Sequence, residues 1–360
     1  IGGMRAPATS GNGASAGRTL ATDAGAALQA RVDPTQALEA GNRFQGASLS
    51  DVARQCLSVN GYTGSYSGPQ AISAAMGTTD FPAVLSDFVR RELHRGFDRA
   101  PAALKRIFAE ATARDFRKKM TILAGDFPSL VPVAEHGEFT YGSMGEQSQA
   151  YAVATYGRVL SLTRQAIIND DLGVFSQMSL KIGQAARELE NNILADVLTT
   201  NGVLNDGEAL FSAAHGNVAG AGSALSIEAL AEGRKLMRRQ KSVDGEQYLN
   251  IAPRFLVVGT EDELTAQKLL AQITPATSGD TNPFAGQMEL VVDPRIDGNG
   301  WYLAAEPASV PSLEYSYLEG NRGLDVQEEA GFDVDALKVR ARLDFGAGPV
   351  DWRGVFWNPG

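Results

Sequence analysis

One apolar stripe constrains this chain more than any other feature. Leu172, Phe175, Met178, Ile182, Ala185, Leu189, Ile193 and Val197 recur at intervals of three and four, the repeat of a single helix face. The spacing predicts a helix over 172–198, a rod of roughly 40 Å at 1.5 Å per residue. Asp170 and Asp171 stand at its start, where carboxylates favour the helix dipole, and Asn201-Gly202 ends it. Its Phe and Met positions read as core rather than as a cofactor box.

The segments flanking this helix follow other rules. Before it, from Phe139 to Ile168, aromatic and β-branched residues alternate with polar ones around Gly142-Ser143-Met144-Gly145-Glu146. That pattern predicts a long β-hairpin whose Gly-rich tip projects, because the tip has little apolar material to hold it to its own domain. After it, residues 205–310 read as a compact α/β unit. A helix is expected over 226–240 from Ser226, a buried strand over Phe255–Val258, and a capping box Thr260-x-x-Glu263 opening a helix through Ala271. Met288–Val292 and Trp301–Ala304 read as strands, with a turn at Asp297-Gly298-Asn299-Gly300 before the second. The tail, 313–357, reads as all-β. Phe332-x-Val334 leads into an alternating strand, Leu337 to Phe345, and Gly346-Ala347-Gly348 is expected to turn it back into Val350–Arg353.

The N-terminal third is different again. Residues 1–47 are rich in Gly, Ala, Ser and Thr, so the expectation is an arm that is flexible or ordered by a partner. Ser48 or Ser50 then caps a helix through Ser58, with Val52, Cys56 and Val59 at helical spacing and Gly61 as its stop. A second Gly/Ser/Tyr-rich stretch covers 60–68. Helices follow near 81–95 and 101–119, with Pro82 and Pro101 in their first turns. A length of 360 residues suits two domains, and there is no fixed-period repeat.

Composition removes several function classes. The formal net charge of −10 argues against a uniformly basic nucleic-acid binder. The single Cys56 supports neither an intrachain disulfide nor a Cys-rich zinc site, and reads as a small buried hydrophobe. No run of 18 apolar residues and no signal-peptide pattern occurs, so the expectation is a soluble, reduced protein without membrane or cofactor. Gly13-Ala14-Ser15-Ala16-Gly17 matches a nucleophile elbow, and Gly11-x-Gly13-x-x-Ala16 a dinucleotide loop. Neither sits in the strand–turn–helix context its chemistry needs, so both read as accidental. His94, His136 and His215 are the only histidines, and each reads as a surface or loop residue. Glu328-Glu329 with Asp333 and Asp335 are acidic enough for a hard cation, but Gly331-Phe332 between them suggests a strand edge. No catalytic, cofactor-binding or metal residues are assigned.

The order of elements carries a resemblance: a projecting hairpin, a long amphipathic helix, an α/β unit and a terminal β-hairpin. With Gly331-Phe332-Asp333-Val334-Asp335, Leu343-Asp344-Phe345-Gly346-Ala347, Val350-Asp351-Trp352-Arg353-Gly354 and the stretch Arg254-Phe255-Leu256-Val257-Val258, it resembles the major capsid proteins of tailed phages with the Hong Kong 97-type fold. The likeness covers roughly 120–360, and its C-terminal run is similar to capsid proteins made as a fusion behind a prohead protease. It implies an α+β Hong Kong 97-like capsid fold with an N-terminal arm and helices over 1–120. Residues 121–204 would be the extended loop and spine helix of a peripheral domain, 205–310 the axial domain, and 311–360 the strands returning to the peripheral domain. Function would be structural, not enzymatic. The subunit would assemble with itself as hexamers and pentamers into an icosahedral shell around phage double-stranded DNA, in a virion built in the host cytoplasm. A portal and a decoration protein would be further partners.

The same resemblance implies roles for particular residues. Gly142, Ser143, Met144, Gly145 and Glu146 would form the loop tip that meets a neighbouring subunit. Maturation cleavage would fall just before Ile1. The type member cross-links neighbours through a Lys on this loop and an Asn on the adjacent subunit. Here no Lys lies between Lys119 and Lys181, and the loop carries only Arg158 and Arg164, so a non-covalent shell is expected. Rival readings are an encapsulin-type nanocompartment, a phage-associated serine hydrolase or protease, and an ordinary α+β ligand-binding protein. Nucleic acid extracted from particles, a serine-reactive probe and light scattering would distinguish them.

The charge is unevenly divided. Residues 1–120 carry 15 basic and 10 acidic residues, whereas the remainder carries 17 and 32. Arg90, Arg91, Arg95, Arg99, Lys105, Arg106, Arg114, Arg117, Lys118 and Lys119 supply most of the basic excess. They suit either a solvated helix face with local ion pairs or, in a shell, an inner face or a subunit boundary.

Overall fold

The computed structural model describes residues 13–124, 146–163, 167, 169, 172–243, 245–271, 284, 286–330 and 336–360. The chain divides into two compact units, each assembled from three separate segments. One unit is built from 1–100, 156–187 and 324–343, the other from 101–155, 188–323 and 344–360.

The first unit is mainly helical. Helix α1 (Gly13–Val32) buries Leu20, Ala24, Ala27 and Leu28, the i, i+4, i+7, i+8 stripe of one face. Helix α2 (Leu49–Val59) is opened by a capping box in which Ser48 and Asp51 each accept the other's backbone N–H. It buries Leu49, Val52, Ala53, Cys56 and Leu57. Helix α3 (Gly68–Met76) buries Ala71, Ile72 and Ala75. Helix α4 (Asp80–Arg99) is the hub, burying Phe81, Val84, Leu85, Phe88, Val89, Leu93 and Phe97. The first half of α5 (Leu172–Thr199) crosses α4 backbone to backbone. A Cβ on Gly96 would stand 2.2 Å from the Leu180 carbonyl oxygen, and one on Gly183 2.1 Å from that of Leu93. Beside this crossing the fully buried Glu92 carboxylate receives Arg95 at 2.6 Å and the Ser176 hydroxyl, and Arg95 reaches Asp33 at 2.5 Å. Part of a five-stranded sheet completes the unit. Strand β9 (Leu324–Ala330) pairs antiparallel with residues 337–343 of β10 (Ala336–Pro349), whose other neighbour is β4 (Ala154–Thr163).

The second unit holds two sheets and a ribbon. Its four-stranded sheet has the order β11 (Val355–Asn358), β7 (Trp301–Ala305), β5 (Pro253–Val258), β6 (Glu289–Val292). Helix α6 (Ile227–Arg238), capped by Ser226, lies against it, and α7 (Glu263–Leu270) follows β5. Leu230, Met237, Leu256, Val258, Trp301, Leu303 and Phe356 form the core between helix and sheet. Gly233 permits that approach, since a Cβ there would sit 2.8 Å from the Phe356 ring and 2.9 Å from Leu303. In the rest of the five-stranded sheet, β1 (Ala109–Ala113) runs parallel to β8 (Leu313–Leu318), and β8 runs antiparallel to residues 345–349 of β10. Under it Lys105 pairs with buried Glu190 at 2.6 Å, donates to the Tyr317 hydroxyl at 2.6 Å, and faces the rings of Tyr315, Tyr317 and Phe345. The ribbon is β2 (Lys119–Ala124) with β3 (Glu146–Tyr151), in register from Lys119↔Tyr151 to Ala124↔Glu146.

Several expectations from the sequence are corrected. Residues 13–32 are a helix seated within their own unit instead of an arm that is flexible or ordered by a partner, because Ala is the best helix former and two Leu suffice to seat so thin a face. Residues 1–12, Ile1 included, lie outside the described residues. The stretch after residue 60 contains the unforeseen α3, with Pro69 in its first turn. Residues 101–119 are not a helix. A short 3-10 turn (Ala103–Ile107) leads into β1, because the hydrogen bonds offered by β8 outweigh local helix preference. In the hairpin region, β3 pairs with β2 and β4 pairs with β10, while Phe139 and Tyr141 lie outside the described residues.

Two smaller corrections concern caps and turns. Gly346, Ala347 and Gly348 do not turn the chain but continue β10. Both glycines serve close approach: a Cβ on Gly346 would meet the Ala152 oxygen at 2.3 Å, and one on Gly348 the Tyr151 Cβ at 2.6 Å. The reversal comes later, and β11 joins the other sheet beside β7. Thr260 does not cap α7, whose N-cap is Asp262.

Candidate assembly surfaces

The ribbon is held on one face and open on the other. Alternation puts Lys119, Thr121, Gln149 and Tyr151 inward and Met120, Ile122, Ser148 and Ala150 outward. On the inner face Lys119 reaches Glu314 at 2.5 Å. The Tyr151 hydroxyl donates to Glu314 at 2.5 Å and lies 2.5 Å from the Ser316 hydroxyl. Burial first, and then the Glu314 carboxylate, push the Tyr151 phenol well above its ordinary value, so it stays a donor. Asn205 secures the second strand. Its backbone N–H donates to Gln149 at 3.0 Å, and its side-chain amide donates to the Ser148 carbonyl at 2.7 Å. On the outer face Met120 and Ile122 are 63% and 62% exposed, and Phe116, at the approach to β2, is 52% exposed. This is an exposed apolar stripe on a two-stranded element, the kind of surface that natural proteins usually cover. The expected loop tip Gly142, Ser143, Met144 and Gly145 lies outside the described residues, while Glu146 is the first residue of β3.

The ten basic residues do not form one surface. Arg95 and Lys105 are half-buried and engaged in internal pairings. Arg91 is tied to Asp87 at 2.7 Å, and Arg99 to Asp33 at 3.3 Å with half its side chain in solvent. Arg106 pairs with Glu289 and stacks near Phe255. Lys119 anchors the ribbon. That leaves Arg90 on α4, and Arg114, Arg117 and Lys118 between β1 and β2, as exposed charges. Arg117 alone of these has an ion-pair partner among the described residues, Asp115 at 3.8 Å.

None of the candidate catalytic residues that the structure describes forms a reactive arrangement. Residues 13–17 lie within α1, so the serine sits on a helix and not on the strand-to-helix turn an elbow requires. His94 is half-buried on α4, and His136 lies outside the described residues. The His215 ring stacks on Trp352 with centroids 4.2 Å apart. Its Nδ1 bonds to the Leu210 carbonyl at 3.1 Å and its Nε2 to Asp206 at 3.0 Å, so both nitrogens are engaged without a hydroxyl. Asn217 and Gln240 pin the same loop through its backbone. His215 therefore acts as a structural rivet. Among the described residues no group of His, Cys, Asp and Glu is placed to hold a metal ion. Asp333 and Asp335 lie outside them. No described helix is long and apolar enough to cross a membrane.

Comparison with known proteins adds the family. No curated protein matches the chain. Solved structures similar to it include one from Microbacterium phage Oxtober96, 10% identical over 70% of this chain and 86% of that chain, with a TM-score of 0.46. A virus-like particle from Pyrococcus furiosus is 13% identical over 76% and 98%, TM-score 0.42. The procapsid of bacteriophage JBD30 is 12% identical over 78% and 75%, TM-score 0.43. The family model described as phage capsid protein matches residues 146–358, which take in β3, the whole of α5 and every later strand. That match spans more than half of the chain, and the α+β protein described above belongs to the phage capsid protein family, with a structural role as a major capsid protein.

Proposed function

We propose that this subunit has the Hong Kong 97-type fold and assembles with itself, as hexamers and pentamers, into an icosahedral shell around double-stranded phage DNA. The observation that carries the proposal is the capsid-family match over 146–358. In this reading, 121–204 supply the extended loop and spine helix of a peripheral domain. Residues 205–310 form the axial domain, 311–360 return to the peripheral domain, and 1–120 form the N-terminal region. The β2–β3 ribbon is the base of the extended loop, and its open face of Met120 and Ile122 supports a neighbour's contact there. Gly142 to Glu146 would then make the furthest contact. The exposed charges Arg90, Arg99, Arg114, Arg117 and Lys118 suit an inner wall or a subunit boundary, the places where phosphate or a neighbour's carboxylates would meet them. A portal and a decoration protein are the other partners the reading implies.

The physics of closed shells suits such a subunit. Individual contacts need not be strong, because symmetry repeats each one over the whole particle. Catalysis is not required of it. The test is negative-stain imaging of the purified chain across assembly conditions. Regular icosahedral particles are expected, and persistent monomers in every condition would reject the proposal.

A further inference from the structure

A basic patch outside the ten residues considered above lies at the end of α6. Residues 234–241 read Arg-Lys-Leu-Met-Arg-Arg-Gln-Lys, five positive charges in eight positions, within a stretch of chain that is otherwise strongly acidic. Helix ends account for part of this, since cations in a last turn favour the dipole. Lys235 is neutralised by Glu232 at 3.0 Å. The rest is not absorbed in that way. Arg238 is the last residue of α6, Arg239 is its C-cap, and Lys241 lies beyond the helix; all three are exposed. None has an ion-pair partner among the described residues.

The chain then doubles back, with Lys241 bridged to Tyr248 in an antiparallel pair and the turn closed at Gly245. Tyr248 is 62% exposed, and the Lys241 ammonium stands 5.4 Å from its ring. Three cations without an ion-pair partner among the described residues and a phenol hydroxyl are thus grouped on one short segment. The four residues from Arg238 to Lys241 reach at most about 14 Å end to end. Duplex DNA presents about one charge per 1.7 Å of its axis, so several phosphates fall within that reach.

We infer that Arg238, Arg239, Lys241 and Tyr248 form a contact site for the phosphate backbone of double-stranded DNA. The inference rests on the proposal that the shell encloses DNA, and names a surface that would touch it. The chemistry is sequence-independent: ammonium and guanidinium groups neutralise phosphates, and the phenol donates a hydrogen bond. An acidic face on a second copy of the chain is the competing occupant. The phosphate backbone fits better, because Tyr248 presents a donor and an exposed ring beside the charges.

The test measures binding of a fluorescein-labelled 20-base-pair duplex to the full chain over a salt series. One variant is Arg238→Ala/Arg239→Ala/Lys241→Ala. A control variant, Arg54→Ala/Arg158→Ala/Lys268→Ala, removes the same charge elsewhere. The slope of log K against log salt should become less negative by about 2 to 3 in the patch variant, because each lost phosphate contact is worth about 0.9. The control should shift it by less than 1, and Tyr248→Phe should weaken binding a few-fold with little change in slope. An unchanged slope in the patch variant, or an equal shift in the control, overturns the inference. So does a patch variant that fails to form particles while its DNA binding is unaltered, since that outcome assigns the patch to a contact between copies. Absence of particles from the unaltered chain is a separate result, and bears on the shell proposal alone.

Discussion

Cys56 and Gly96 show how much a single position depends on its surroundings. The Cys56 side chain is fully buried on α2, and burial, with a smaller contribution from Asp80, pushes its thiol up to about 12. A group that holds its proton more tightly when folded stabilises the fold fully below its unfolded value, about 9. It loses that contribution as pH rises through about 12. Urea unfolding of the wild type should therefore weaken between pH 8 and 10.5 by about 2 kcal/mol more than that of Cys56→Ala. Parallel pH profiles would contradict this. Its burial follows from helical spacing with Val52, so this residue was legible in the sequence. Gly96 was not, because nothing local marks it as a crossing point. Its role exists only because the Leu180 oxygen occupies the place of a Cβ. Gly96→Ala should cost about 1–3 kcal/mol or more, read as a lower denaturation midpoint.

At the scale of elements, periodicity identified the strongest units and missed those that depend on neighbours. The helix expected at 172–198 is found at 172–199, the strand at 255–258 is found at 253–258, and Ser226 caps its helix. These carry their own signal: a long stripe, a buried β-branched run, and a cap that needs only the adjacent N–H groups. Helix α1 carries a weak stripe of Ala and Leu, and its stability comes from the groove along α4. Leu28→Ala should destabilise the fold by about 2–5 kcal/mol and speed amide exchange throughout α1. Exchange as fast as in an unfolded peptide before any substitution would show that the helix does not persist. Strand β1 is the converse case. Arg114 to Lys119 looked helical in sequence, yet pairing of residues 109–113 with β8 settles the local backbone. Strand partners in general were illegible, because alternation reveals which face is buried and not which strand supplies the hydrogen bonds.

For the molecule as a whole, membership of the phage capsid protein family makes assembly the property to measure. With no Lys between Lys119 and Lys181, the segment proposed as the extended loop lacks the amine for an amide cross-link to a neighbour. Particles boiled in detergent should run as a single-chain band on a denaturing gel, and a ladder of high-mass species would refute this. The charge division also looks different at this scale. Of ten basic residues read together from sequence, Arg95 and Lys105 serve internal ion pairs, Lys119 anchors a ribbon, and others remain in solvent. Sequence alone determined the amphipathic helix, the buried strands, the two charge regimes and the resemblance to capsid proteins, because each is written in local order and composition. Tertiary structure alone decided which strands pair, which glycines permit close approach, and which charges stay free. Those depend on groups distant in sequence, whose positions no local pattern records.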